Sequence, residues 1–135
     1  MNLASYAQAY RRNFVETAGR GQLILMLFDG ALRFMNNALE GFEEPDPIRR
    51  IPTVNRYLVK TQAIIIELQA SLNPEADPDF AQRMSSLYSY MRAQLRQANL
   101  RKDPAPVRIV VKLLGEIRDA WAEMLAKGQQ HTPAL

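Results

Sequence analysis

The sequence predicts an all-α protein, an antiparallel up-down four-helix bundle with a short N-terminal amphipathic arm, and three observations carry that reading. Prolines fall into three breaks, Pro45/Pro47/Pro52, Pro74/Pro78 and Pro104/Pro106, and leave proline-free stretches of helix length between them. Within those stretches apolar residues recur at spacings of three and four, the period of a helix with one buried side. Runs of Val, Ile and Thr are few and two-residue alternation is not sustained, so strands have little support.

The first helix is expected from about Gly21 to Phe42, the second from about Thr53 to Leu72, the third from Pro78 to about Lys102 and the fourth from Pro104 to Lys127. Two stripes, Ile24-Leu27-Ala31-Phe34-Ala38 and Leu25-Phe28-Leu32-Met35-Leu39-Phe42, lie about 100° apart on the first helix, which is therefore expected to be flanked on two sides. On the second, Val54-Leu58-Ile65-Leu68-Leu72 forms a core seam. On the third, Phe80, Met84, Leu87, Met91, Leu95 and Ala98 do the same, with Asp77 as N-cap, Pro78 at the first helical position, and Arg101 and Lys102 in the last turn. On the fourth, the seam is Val107, Val110, Leu114, Ile117, Trp121 and Met124, with Asp103 and Pro104 opening the helix and Gly128 stopping it. Short connections make consecutive helices antiparallel. The chain then divides into a mobile arm over 1–20, the bundle over 21–128 and a disordered tail over 129–135.

Composition removes several classes of function. With 135 residues and 47% hydrophobic side chains the chain can bury a core without a staple. No cysteine means no disulfide, zinc thiolate or thiol nucleophile, and the single histidine, His131, lies in the tail, away from any triad or multi-histidine metal site. The longest apolar run, Leu23 to Phe28, falls far short of the roughly 20 residues that cross a bilayer. No secretory signal opens the chain, so the expected location is cytoplasmic. Asp29, Glu67, Glu116 and Asp119 lie on helices, where solvation or pairing with neighbours such as Arg33 accounts for them, and no Glu-x-x-His pair suggests a di-iron site. No catalytic residue, cofactor or metal site is expected. Ala18-Gly19-Arg20-Gly21-Gln22 lacks the Gly-Lys-Ser/Thr ending of a phosphate loop and reads as a hinge.

What remains is surface. Val59, Ala63, Ile66 and Ala70 form a further stripe on the second helix, roughly 150° from its core seam, which a compact bundle does not easily bury. Its small residues admit the close approach of another helix, so it is a candidate groove for a partner, with a dimer contact or packing under the N-terminal arm as the alternatives. Leu3, Tyr6, Tyr10 and Phe14 sit at helical spacing in that arm, which is expected either to cover the groove until a partner displaces it or to pack there permanently. Between Arg83 and Arg118, eight basic residues stand against two acidic ones, and with a net charge of +3 this admits a basic adaptor for nucleic acid or another acidic protein. A solvated helix face is the plainer account, since no recognition-helix pattern or aromatic platform accompanies the cluster.

The ordered set Tyr10-x-x-Asn13-x-Val15-x-Thr17-Ala18, Leu23-Ile24-x-Met26-Leu27-Phe28-Asp29-Gly30-Ala31-Leu32-Arg33-Phe34, Asn55-x-x-Leu58-x-Lys60-x-Gln62-x-Ile64-Ile65-x-Glu67-Leu68, Leu87-Tyr88-x-Tyr90-Met91-x-x-x-Leu95-x-x-Ala98-Asn99 and Leu113-Leu114-x-x-Ile117-Arg118-x-Ala120-Trp121 resembles the flagellar secretion chaperone family, FliS. The resemblance implies a cytoplasmic helical bundle that binds the C-terminal segment of newly made flagellin, keeps it from polymerising and delivers it to the export gate protein FlhA. It also admits the anti-sigma regulator of flagellar genes as a further partner, as in some relatives, and implies no nucleotide or metal. A free groove favours self-association, so a homodimer is one expected client-free state, and no nucleic-acid partner is expected. Tyr10 and its neighbours match a segment of the family thought to contact the client or cover its site. Gly19-Arg20 stands where relatives usually carry Ser/Thr-Pro, and Thr61 where they commonly carry Ala.

Overall fold

In the computed structural model, which describes residues 19–128, four α-helices of 24 residues follow one another: α1 Gly19–Phe42, α2 Pro47–Ala70, α3 Pro78–Arg101 and α4 Ala105–Gly128. Each is about 36 Å long at 1.5 Å per residue, so all four run the length of the molecule. Among the described residues, α1 packs on α2 and α4, and α3 packs on α2 and α4, with no close backbone approach across the diagonals. That closed ring of antiparallel neighbours is the expected up-down bundle. The arm residues Leu3, Tyr6, Tyr10 and Phe14 and the tail residue His131 lie outside the described residues.

Local chemistry sets the helix ends. Asp77 takes the amide of Phe80 at 3.2 Å, as an N-cap before Pro78. Asp77→Ala is therefore expected to lower stability by about 1 kcal/mol, read from urea unfolding followed by circular dichroism. The start of α2 corrects the sequence reading by six residues: the helix begins at Pro47, and Pro52 lies inside it. Asp46 caps this start by accepting from Ile48 N at 3.0 Å, and the Arg50 guanidinium ties the first turns to the carbonyls of Glu44 and Pro45 at 3.0 and 3.2 Å. The carbonyl that Pro52 leaves unpartnered belongs to Ile48, an exposed residue within reach of water, which keeps the proline affordable near a helix start.

Two other ends also differ from expectation. At α4 the helix opens one residue later, at Ala105: Asp103 accepts from Ala105 N at 3.0 Å and the Pro104 carbonyl accepts from Arg108 N. Lys102 is not in the last turn of α3 but is its C-cap, in the left-handed region with φ 50°. Its ammonium donates to Asn99 Oδ1, a contact that glycine, the usual residue for this conformation, could not make. Of the stretch Ala18–Gln22 expected to be a hinge, Gly19 to Gln22 open α1 instead, with a left-handed φ of 75° at Gly19 and Arg20 donating to the Ser71 carbonyl, while Ala18 lies outside the described residues.

The core runs along the bundle axis. Phe28, Ala31, Met35 and Ala38 of α1 meet Val54, Leu58, Ile65 and Leu68 of α2, Tyr88, Met91, Leu95 and Ala98 of α3, and Val107, Val110 and Leu114 of α4. Helix α1 is flanked on two sides, as its double stripe predicts. On the α2 side, Gly41 permits the approach, since a Cβ there would stand 3.0 Å from the Thr53 methyl. On the α4 side, Trp121 donates to the Gly21 carbonyl at 2.9 Å and meets Phe28 edge-on. Asp29 pairs with Arg118 of α4 at 2.7 Å rather than with Arg33. Buried Thr61 satisfies its hydroxyl by donating to the Tyr57 carbonyl one turn back. Burial pushes the Tyr88 phenol far above its ordinary range, so it stays neutral in the folded protein.

Two expected seam residues are not in the core. Phe80 is 50% and Met124 41% exposed, while their neighbours Ala81 and Leu125 are buried in their place.

Candidate functional site

The outer face of α2 is where the second helix's surplus of apolar residues goes. Val59 is 54% and Ile66 47% exposed, Ala70 is exposed and Ala63 half-buried, so the four line up along the outside of the bundle beside α3. Ile48, one of the most exposed large apolar residues, extends the same face upstream. Alanine at alternate positions keeps this face shallow and lets a helix backbone come close.

Among the described residues no helix packs over this face, and the seam beside it is polar. Asn55, Gln62 and Gln69, each seven residues apart, turn toward α3. Asn99 Nδ2 donates to Asn55 Oδ1 at 2.8 Å, Gln62 Nε2 to the Arg92 carbonyl at 2.9 Å, and Gln69 Nε2 to Ser85 and Ser89, while Arg92 returns a bond to Gln69 Oε1 at 3.0 Å. Directional amide bonds fix the register of α3 against α2 without apolar interdigitation, so α3 cannot roll over to bury Val59 and Ile66. Gln62 Oε1 is buried with no hydrogen-bond partner among the described residues, a local cost that apolar packing would not incur.

The sequence reading missed a second apolar area. Ile109, Leu113, Ala120 and Met124 fall within an arc of about 60° on α4, and Ile109 and Met124 are exposed. Phe80, at the start of antiparallel α3, adds to the same end of the bundle as Met124. A spacing of four, seven and four along α4 is the signal that marks it, a second stripe beside the core seam.

Three of the eight basic residues between Arg83 and Arg118 are already engaged. Arg92 is spent on Gln69, Lys102 on Asn99, and Arg118 on Asp29 and Asp119, whose carboxylates hold its guanidinium further from deprotonation. Arg83 and Arg101 lie roughly 140° from Arg96 around α3 by helical arithmetic. Tyr88 is core, and Tyr90 is surface. Among the described residues no cluster of His, Cys, Asp and Glu could hold a metal, and no helix is long and apolar enough to cross a membrane.

Comparison with known proteins places these features in a context. The family described as "Flagellar protein FliS" matches residues 2–128. The chain is 36% identical to the flagellar secretion chaperone FliS of Bacillus subtilis over 117 residues, covering 87% of this chain and 84% of that protein. It is 34% identical to that of Salmonella typhimurium over 125 residues, 93% of this chain and 90% of the relative. To that of Escherichia coli it is 35% identical over 123 residues, 90% and 87% of the two chains.

Proposed function

Because the chain belongs to the FliS family of flagellar secretion chaperones, we propose that it binds the disordered C-terminal region of flagellin in the cytoplasm, prevents its premature polymerisation and delivers it to the export gate protein FlhA. The observation that carries this reading is the exposed stripe Val59-Ala63-Ile66-Ala70, held open by the polar seam between α2 and α3. A disordered amphipathic segment folds its apolar side onto such a face and thereby hides the surfaces that would pair with other subunits. The arc Ile109-Leu113-Ala120-Met124 extends the path, and a segment that occupies both must wrap around the bundle.

The N-terminal arm, with Leu3, Tyr6, Tyr10 and Phe14, covers the stripe in the free protein and yields it to the client. Without a client the same stripe favours self-association, which sedimentation at rising concentration reads. The anti-sigma regulator, where it binds, is a further occupant. The reading requires no catalytic group and no cofactor.

Calorimetric titration of the full chain with the C-terminal segment of flagellin from the same organism tests it. One-to-one binding with a negative heat-capacity change and little loss between low and high salt is expected, because apolar burial rather than charge drives it. Affinity that collapses with salt supports the basic-adaptor reading instead. Hydrogen exchange on the same complex is expected to show residues 1–14 losing protection on binding; unchanged protection sinks displacement of the arm while leaving the client intact.

A further inference from the structure

On the opposite flank of α2, where it meets α1, two rings and three cations form a compact patch. Phe34 and Tyr57 lie with centroids 6.2 Å apart, tilted by 31°. The Arg33 guanidinium sits 5.5 Å from the Phe34 centroid, that of Arg56 5.0 Å from Tyr57, and the Lys60 ammonium reaches both rings at 5.4 and 5.8 Å. Both rings are half-buried against the core, so they are fixed platforms. None of the three cations makes an ion pair or side-chain hydrogen bond with another described residue, whereas Arg118, Arg49 and Lys127 each have a carboxylate partner.

We propose that Arg33, Arg56 and Lys60, positioned on Phe34 and Tyr57, form a docking surface for a short acidic peptide segment of a second protein. Three positive charges within one patch, with no carboxylate partner among the described residues, call for a negative occupant. Resting on fixed rings, the guanidinium groups have already lost much of their rotamer freedom, which lowers the entropic cost of gripping a carboxylate. The fork of Arg suits a carboxylate bidentately.

Two features favour a peptide over a nucleic acid. The ring faces are taken by cations, which leaves no free platform for stacking bases. Beside Arg56 and Tyr57 opens a cleft of about 820 Å³ whose lining sets Glu40, Glu43 and Glu44 against Arg49 and Arg56, so a continuing phosphate backbone meets a net negative surface one step away. A segment with a few clustered carboxylates, followed by neutral or basic residues over the cleft, fits both parts. Around α2, Arg56 lies about 60–80°, Lys60 about 100–120° and Tyr57 about 160–180° from Val59 and Ile66, so the patch faces away from the stripe towards α1 and does not depend on the export reading.

The test is an NMR titration of the full chain, isotope-labelled and read at the arginine side chains. The probe is a synthetic octapeptide of alternating Glu and Gly; a Lys and Gly peptide and a single-stranded oligothymidine serve as comparisons. Saturable shifts at Arg33 and Arg56 with the acidic peptide alone are expected. The triple variant Arg33→Glu, Arg56→Glu, Lys60→Glu weakens binding by about tenfold or more, and the charge-matched variant Arg83→Glu, Arg108→Glu, Lys112→Glu by less than about twofold. Equal weakening by both variants, tighter binding of oligothymidine at the same residues, or no saturable shift overturns the proposal. The shifts of the unmodified chain decide alone if the triple variant loses its helical spectrum.

Discussion

Ile66→Asp is expected to weaken binding of the flagellin segment at least about 100-fold, because the lost apolar burial and the desolvation of a carboxylate each oppose docking by roughly 2 kcal/mol. The side chain is 47% exposed and the core seam of α2 runs through Val54, Leu58, Ile65 and Leu68. The folded protein therefore has little to lose, and the variant's thermal midpoint is expected within a few degrees of the parent, about 1 kcal/mol or less. Calorimetry against the segment and a thermal melt measure the two halves. Parent-like affinity in a well-folded variant removes the stripe from the client's path; a variant that unfolds makes Ile66 part of the core. Ile109→Asp on α4 extends the argument. If the segment wraps the bundle, binding weakens by about tenfold; if only α2 is used, it does not change.

The bundle was legible because its determinants are local. Proline breaks, the Asp77-Pro78 start and three-four spacing all act within one or two turns, and neighbouring helices in a ring follow from short connections. Pro52 looks like a terminator in the sequence, yet it lies inside α2. Near a helix start its missing donor and its clash fall on a carbonyl open to water, here that of Ile48.

The seams failed in a different way. On α3, Phe80 outranks Ala81 in hydrophobicity, yet the buried face is Ala81, Tyr88, Met91, Leu95 and Ala98, with Leu87 packed at its edge. On α4, a strict three-four pattern drifts by about 20° per heptad against a straight helix, so that by the last turn Leu125 rather than Met124 points inward. The apolar arc on α4 is masked in the sequence by the core seam that runs beside it. The stripe on α2 was visible as surplus hydrophobicity in a single helix. The patch of Phe34 and Tyr57 was not, because its rings come from two helices 23 positions apart in sequence and only the α1–α2 packing unites them.

The shift of the α3 seam makes the second large effect a paired one. Leu95 is fully buried, in a cluster with Met91, Ala98, Leu58 and Leu114, and none of its surroundings can be replaced by solvent. Leu95→Ala is expected to cost about 3 kcal/mol, the transfer of the lost methyl groups plus the cavity they leave. For a domain of this length that lowers the thermal midpoint by about 10 °C. Phe80 is the larger and more hydrophobic residue, and hydrophobicity alone ranks Phe80→Ala as the more damaging change. Half of it is already in water, however, and it stands in the first turn of α3, where alanine improves helix propensity. Its truncation is expected to cost less than about 1 kcal/mol. Urea unfolding of both variants measures the difference directly. Comparable losses would place Phe80 back in the core and restore the seam drawn from hydrophobicity; a gap of about 2 kcal/mol establishes that α3 leaves its largest apolar side chain at the surface.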